Sequence, residues 1–399
     1  MDVFNPERFV ESQTEELRRM VGGERALAAV SGGVDSATCA ALARRALGEG
    51  LVCVMLDDAF MREDEPRRVA ETLSKPPLSV PVEVVDVRDR FLKAMKGLRD
   101  AEEKRRMFRE TFYQTLAETA RGRGCRVLIQ GTIRADVDET VGGVKTQHNI
   151  LEQMGINPLE RYGFRVVEPL SALYKEQVRM VARHLGLPEE ISERQPFPGP
   201  GLSVRVVGEI RIDKLETLRK ATSIVEHELE KHSPSQYFAV ILDNERVETS
   251  EAPHLRDVVA RFLDVSPECV DVKFFRDKAT GVVEGKRRYG EVVGVTVRAA
   301  NGMVYQRTVP DMVSLQERII SENPGIVRVF YAIQDSGLEK PYVIGVRAVK
   351  TRNFLTAQVS EIPWPTLSNV AEKVFKTCPN IAAVYYDATP KPPATIEME

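Results

Sequence analysis

Short apolar runs separated by helix-patterned stretches dominate the first half of the chain. Residues 26–30 (ALAAV), 51–57 (LVCVMLD), 82–87 (VEVVDV) and 127–132 (VLIQGT) are nearly continuous apolar segments, and helical patterns fill the intervals, notably at 37–47 and 103–121. Strands that are apolar throughout belong to a sheet covered on both faces, and strand–helix alternation makes that sheet parallel. The pattern predicts an α/β domain whose ligands gather at the carboxyl ends of the strands. The turn Ser31-Gly32-Gly33-Val34-Asp35-Ser36, the pair Asp57-Asp58 and Gly131-Thr132 all fall at such ends. The opening stretch MDVFNPERFVESQTEEL reads as a capped amphipathic helix with no apolar leader segment.

The pattern breaks at Arg194-Gln195-Pro196-Phe197-Pro198-Gly199-Pro200-Gly201-Leu202, where prolines and glycines exclude both a helix and a central strand. Beyond it the chain becomes an α+β mixture with a faint internal repeat. VVGVTVRA (292–299) followed by GIVRVFYAI (325–333) is echoed by YVIGVRAV (342–349) followed by NIAAVYYDA (380–388), with helical stretches at 311–322 and 366–377 between the members of each pair. Two β–α–β units of roughly fifty residues suggest a duplicated subdomain.

Composition narrows the function classes. A length of 399 residues allows two or three domains, and a net charge of −3 argues against a general nucleic-acid binder, whose footprint is basic. Cys39, Cys53, Cys125, Cys269 and Cys378 form no CxxC pair, which suits a reducing compartment better than a disulfide framework. The five histidines show no zinc-ligand spacing, and no apolar run approaches membrane-spanning length. The expectation is a cytoplasmic protein that binds neither nucleic acid nor membrane.

The Ser-Gly-Gly turn carries the chemistry. It lacks the G-K-[ST] of a Walker A loop and does not spell G-x-G-x-x-G. Backbone N–H groups of residues 32–37 and the hydroxyls of Ser31 and Ser36 form a candidate cradle for a pyrophosphate-sized anion at a helix N-terminus. Asp35 beside a phosphate is a like-charge conflict that a bridging Mg²⁺ resolves. An ordinary βα turn capped by Ser36 is the competing reading of the bare Ser-Gly-Gly.

Residues 26–47 as a whole resemble the signature of the N-type ATP pyrophosphatases, the PP-loop superfamily. Glu102-Glu103-Lys104-Arg105-Arg106, Gln130-Gly131-Thr132-Ile133, Val144-Lys145-Thr146-Gln147-His148-Asn149 and Glu168-Pro169-Leu170 narrow the similarity to the ATP pyrophosphatase (synthetase) part of GMP synthase. The most specific matches are RQPFPGPGLSVRVVGE (194–209) and KPPATIEME (391–399). The resemblance implies a parallel-sheet, adenine-nucleotide alpha-hydrolase-like domain over 1–204. It also implies an α+β C-terminal domain of dimerisation type, binding XMP, over 205–399, with an insertion or duplicated unit around 240–340.

The implied reaction adenylylates XMP at its C2 oxygen with ATP as co-substrate and Mg²⁺ as cofactor, then aminates it with ammonia. It places Ser31, Gly32, Gly33, Val34, Asp35, Ser36, Ala37 and Gly131 on ATP, and gives catalytic roles to Asp35, also the metal ligand, and Lys145. It places Arg105, Gln236, Lys391, Thr395, Ile396 and Glu397 on XMP, with Arg205 close by. Three departures stand out: Gly285 occupies the position of a nucleotide-binding aspartate, with Glu284 beside it as the candidate replacement; Gln147-His148 replaces a histidine pair; and the final motif ends Glu397-Met398-Glu399. These departures are the support for a rival reading, a catalytically silent homologue with a regulatory role. No cysteine has a glutaminase context, so a separate glutamine amidotransferase subunit is the expected ammonia source. A homodimer is the family's expectation, but a duplicated second domain already pairs its own sheet edge, which leaves monomer and dimer both open.

Overall fold

The computed structural model describes residues 4–141, 156–283, 285–351 and 355–399. The chain packs as two units: Met1–Ala94 with Arg105–Pro200, and Met95–Lys104 with Gly201–Glu399. Among the described residues no helix is long and apolar enough to cross a membrane.

The first unit is built on five parallel strands, β1 (Ala26–Ala29), β2 (Leu51–Asp57), β3 (Val82–Asp86), β4 (Val127–Ile129) and β5 (Arg165–Val167), in the order β3-β2-β1-β4-β5. The chain runs outward from β1 to β3, then returns to the other side of β1 for β4 and β5. Crossovers therefore diverge between β1 and β4, which opens a crevice at the carboxyl ends of these two strands. Strand alternation sends Ala26 and Ala28 to one face, against helices Pro6–Val21, Val34–Leu47 and Lys175–His184. Leu27 and Leu128 go to the other face, against Tyr113, Leu116 and Ala120 of helix Ala101–Gly122. Ala37, Ala40 and Ala43 are completely buried, so the helix after the Ser-Gly-Gly turn lies close on the sheet because its side chains are small.

The second unit carries β6 (Gln236–Asp243), β7 (Arg246–Val247), β8 (Val270–Phe275), β9 (Ala279–Val283), β10 (Lys286–Val297), β11 (Ile326–Asp335), β12 (Tyr342–Lys350), β13 (Gln358–Val359) and β14 (Ile381–Asp387). The main path is β13-β12-β14-β11-β10-β8-β7, with β6 beside β12 and β9 beside β10. β10 and β11 are parallel, joined through helix Val309–Glu322, and β12 and β14 are parallel, joined through helix Trp364–Thr377. The two crossovers meet antiparallel at β11 and β14. At the β9–β10 turn Gly285 has φ +74, a left-handed conformation that favours glycine over the aspartate expected there.

Candidate active site

The turn after β1 enters helix Val34–Leu47 through Gly32 at φ +82 and an extended Gly33 at the N-cap. A Cβ on Gly32 would meet the Val69 side chain at 3.0 Å and Glu65 Oε1 at 3.2 Å. The turn is tied to itself: Ser31 N–H donates to Ser36 Oγ (3.1 Å), the two serine hydroxyls lie 3.0 Å apart, and Ser36 Oγ donates to the Gly33 carbonyl (3.1 Å). The N–H of Ala37 donates to the Gly33 carbonyl (3.1 Å). That bond closes the first helical turn and engages the Ala37 amide, with the amides of residues 32–36 ahead of it at the helix N-terminus. Gly131, just after β4, faces this turn: a Cβ there would stand 3.0 Å from the Asp35 carbonyl and from Ser36 N.

Asp35 Oδ2 accepts from Lys175 Nζ at 2.6 Å, while Asp35 Oδ1 is buried and makes no hydrogen bond among the described residues. A buried carboxylate oxygen without a donor is costly unless something cationic meets it. A hard oxygen ligand of this kind fits Mg²⁺. Lys175 escaped the sequence reading, although one signal was present: it opens helix Lys175–His184, where the helix dipole disfavours a cation. The loop after β4 is braced by Gln130 Nε2 donating to Thr132 Oγ1 (3.1 Å) and Thr132 Oγ1 donating to Glu168 Oε1 (2.6 Å).

Asp58, at the end of β2, is buried and its Oδ1 accepts the Phe60 N–H at 2.8 Å. Burial, followed by the neighbouring carboxylates of Asp57 and Glu65, pushes its carboxyl from 3.8 up to about 7. The folded protein thus holds a proton there that the unfolded chain has released. The resulting stability is fully present below about pH 4 and is lost as pH rises through about 7. Asp58→Asn, which stays neutral and can still accept from Phe60, is expected to match the wild type near pH 4. At pH 8 it should be more stable by on the order of 2–4 kcal/mol, read from denaturant unfolding across that range; parallel pH profiles would refute this. Burial pushes the Cys53 thiol on β2 up to about 12.

In the second unit the 391–399 segment is held as an ordered hook. Lys391 pairs with Ala357 through both backbone groups (2.8 and 3.0 Å). Arg205, 2% exposed and 3.9 Å over the Phe238 ring, donates from Nε and Nη2 to the two Glu397 oxygens, each at 2.9 Å. Arg328 donates to Asp387 Oδ2 (2.9 Å), Thr395 Oγ1 (2.9 Å) and the Glu397 carbonyl (2.6 Å). Arg347 donates to Asp387 Oδ2 (2.7 Å) and to the carbonyls of Thr389 (2.9 Å), Thr395 (2.8 Å) and Ile396 (2.8 Å). Arg328, Arg347 and Asp387 are all completely buried. The sequence reading missed these two arginines, although a single arginine inside an apolar strand has to be buried and paired. Glu399 accepts the Gly208 N–H at 3.0 Å and meets the Lys104 ammonium, and burial pushes its carboxyl up to about 7. Gln236, 7% exposed at the start of β6, has a buried Oε1 with no hydrogen bond among the described residues.

Thr395, Ile396 and Glu397 therefore share one cluster with Arg205, while Gln236 sits on the strand whose Phe238 lies under Arg205. Arg105 is half-buried on helix Ala101–Gly122 and counts with the first unit. Lys145, Gln147, His148 and Glu284 lie outside the described residues.

A five-stranded parallel sheet with a serine–glycine turn at its switch point is the PP-loop fold, and the family matches that follow make the chain a ligase of the ATP pyrophosphatase type that uses ATP. Residues 7–213 match the family described as NAD synthase, and residues 336–398 match the GMP synthase C terminal domain. The chain belongs to the GMP synthase family. It is 43% identical to one such subunit, that of the glutamine-hydrolyzing GMP synthase of Sulfurisphaera tokodaii, covering 99% of this chain and 100% of that protein. It is 39% identical to the subunit of the same name from Saccharolobus solfataricus, with 100% of both chains covered. Among solved structures, NMN synthetase from Francisella tularensis matches with 18% identity and a TM-score of 0.39, over 50% of this chain and 79% of that one.

Proposed function

We propose that this chain converts XMP to GMP. The C2 oxygen of XMP attacks the α-phosphorus of ATP, the bond from that phosphorus to the bridging β-phosphate oxygen breaks, and pyrophosphate leaves. Ammonia then adds at C2, the C2–O bond breaks, AMP departs with that oxygen, and a proton is lost. The observation that carries this reading is the 43% identity to a GMP synthase subunit over nearly the whole of both chains. That relative is named as one subunit of a glutamine-hydrolyzing enzyme, which supports a separate glutamine amidotransferase subunit as the ammonia source. In this reading 1–204 is the ATP pyrophosphatase domain and 205–399 binds XMP.

Such a reaction asks the protein for positioning and charge neutralisation more than for covalent chemistry. The amides of residues 32–36 and the Ser31 hydroxyl hold the departing pyrophosphate, and the lack of a side chain at Gly131 keeps room beside them. Mg²⁺, held through Asp35 Oδ1, would supply charge neutralisation at the phosphates. Lys175 fixes the orientation of the Asp35 carboxylate, and Lys145 is the second catalytic cation. Lys391 suits the XMP phosphate and Arg105 is a further nucleotide-binding residue, while Gln236 and the Thr395–Glu397 segment suit the purine and ribose.

With ATP, Mg²⁺ and ammonium, the purified chain is expected to release pyrophosphate only when XMP is added, and to form GMP. Glutamine should replace ammonium only after the amidotransferase subunit is supplied. XMP-independent pyrophosphate release, or glutamine turnover by the chain alone, would count against the reading.

A further inference from the structure

The two β–α–β crossovers of the second unit follow one register. In the first, Gly294 pairs with Lys273 on β8 and Phe330 on β11; in the second, Gly345 pairs with Val240 on β6 and Tyr385 on β14. Each parallel pair shifts register at the same place, between Glu291 and Val292 in one and between Tyr342 and Val343 in the other. Each crossover helix has 14 residues and a proline in its first turn. A Cβ on Gly294 would meet the Tyr385 ring at 3.2 Å, and a Cβ on Gly345 would meet the Phe330 ring at 2.8 Å, the same contact reflected through the β11–β14 junction.

Each copy also begins with a helix and a further strand: Ile212–Leu229 with β6, and Glu251–Leu263 with β8. The copies are therefore nested, the second lying between β6 and β12. It leaves and rejoins the first at one point, where Asn244 N–H donates to the Pro341 carbonyl (2.8 Å) and Asn244 Nδ2 to the Lys340 carbonyl (2.8 Å).

This register assigns counterparts to the three strand residues of the buried ion-pair cluster. Arg347 on β12 corresponds to Thr296 on β10. The ion pair from Arg328 on β11 to Asp387 on β14 corresponds to Ala383 on β14 and Ala332 on β11. Both alanines are buried in the apolar cluster around Phe330 and Tyr385. A buried charge left without its partner is strongly destabilising, so the two members of such a pair are kept or replaced together. Here one pair is an ion pair, and its mirror positions carry two alanines.

We infer that residues 244–341 are a built-in second protomer with no nucleotide site of its own, whose Arg328 positions the Thr395–Glu397 segment of the single XMP site in each chain. This rests on the function proposed above. Arg328 acts through that segment, donating to Thr395 Oγ1 and the Glu397 carbonyl, and is a positioning residue.

The test uses the full chain and Arg328→Met, which keeps the volume and leaves Arg347 paired one-to-one with Asp387. Calorimetric titration of the wild type with XMP is expected to saturate at one nucleotide per chain. Arg328→Met should stay folded and keep its KM for ATP, while XMP affinity falls about 10- to 100-fold, the scale of one hydrogen bond made by a charged group, because Arg328 acts on the nucleotide only through the 395–397 segment. Arg328→Lys should recover part of that loss. Without any ligand, amide exchange in 395–398 should accelerate in Arg328→Met. Saturation at two XMP per chain, wild-type XMP affinity in Arg328→Met, or unchanged exchange in 395–398 would each overturn the inference. A wild-type chain that binds no XMP would bring down the functional reading instead, and the exchange measurement would then still decide the role of Arg328.

Discussion

Asp35→Asn is expected to lower XMP-dependent pyrophosphate release by about 10²- to 10³-fold, the scale on which removing one preorganised electrostatic group slows a reaction that develops charge. Asparagine matches aspartate in size, and its amide oxygen can still accept from Lys175, now 2.6 Å from Oδ2. What it removes is the negative charge behind the buried, undonated Oδ1. The substitution therefore separates charge from shape. A small change in thermal midpoint with a large loss of turnover is the expected combination, because the helix cap and the serine pair of the turn do not involve the Asp35 side chain. Retention of more than about a tenth of wild-type turnover would show that Asp35 is no part of the charge neutralisation that the transfer needs.

The first unit was legible because its central strands β1, β2 and β4 are buried on both faces. The apolar runs at 26–30, 51–57, 82–87 and 127–132 contain β1 to β4 almost to the residue. β5 escaped because Arg165–Val167 is three residues long and starts on an arginine, too short a run to stand out from the loop around it. In the second unit the repeat revealed β10, β11, β12 and β14, but not its nesting. A sequence displays order along the chain, whereas β6 finds β12 only through pairing across the intervening copy. The serine–glycine turn stood out through its residue types, and the Thr395–Glu397 segment through its motif. The partners that hold them were hidden by distance, since Lys175 lies 140 residues from Asp35 and Arg205 lies 192 from Glu397. The amide of Ala37 shows the same limit: a residue three past the first helical position donates within the helix, which residue types alone do not display.

Buried carboxylates in this chain are expected to respond to neutralisation with opposite signs, and the neighbours decide which. Asp58 is buried beside carboxylates, so removing its charge stabilises at neutral pH. Asp387 is buried between two guanidinium groups, Arg328 and Arg347, at 2.9 and 2.7 Å. Burial and the adjacent Arg347 already pull Arg328 down to about 9, which leaves it cationic at neutral pH. Asp387→Asn would then confine two like charges in the same dry cluster without their counter-ion, and is expected to cost about 3–5 kcal/mol. For a unit of this size that corresponds to a fall in thermal midpoint on the order of 10 °C. A second substitution isolates the cause. Adding Arg328→Met to Asp387→Asn removes one of the two stranded charges, so the double variant should be more stable than the sum of the single effects by about 1–3 kcal/mol. Denaturant unfolding of the four proteins measures both quantities. Strict additivity would mean that Asp387 supports the hook through shape alone, and that the charge balance inferred for the intact ion pair has no part in holding the 395–397 segment in place.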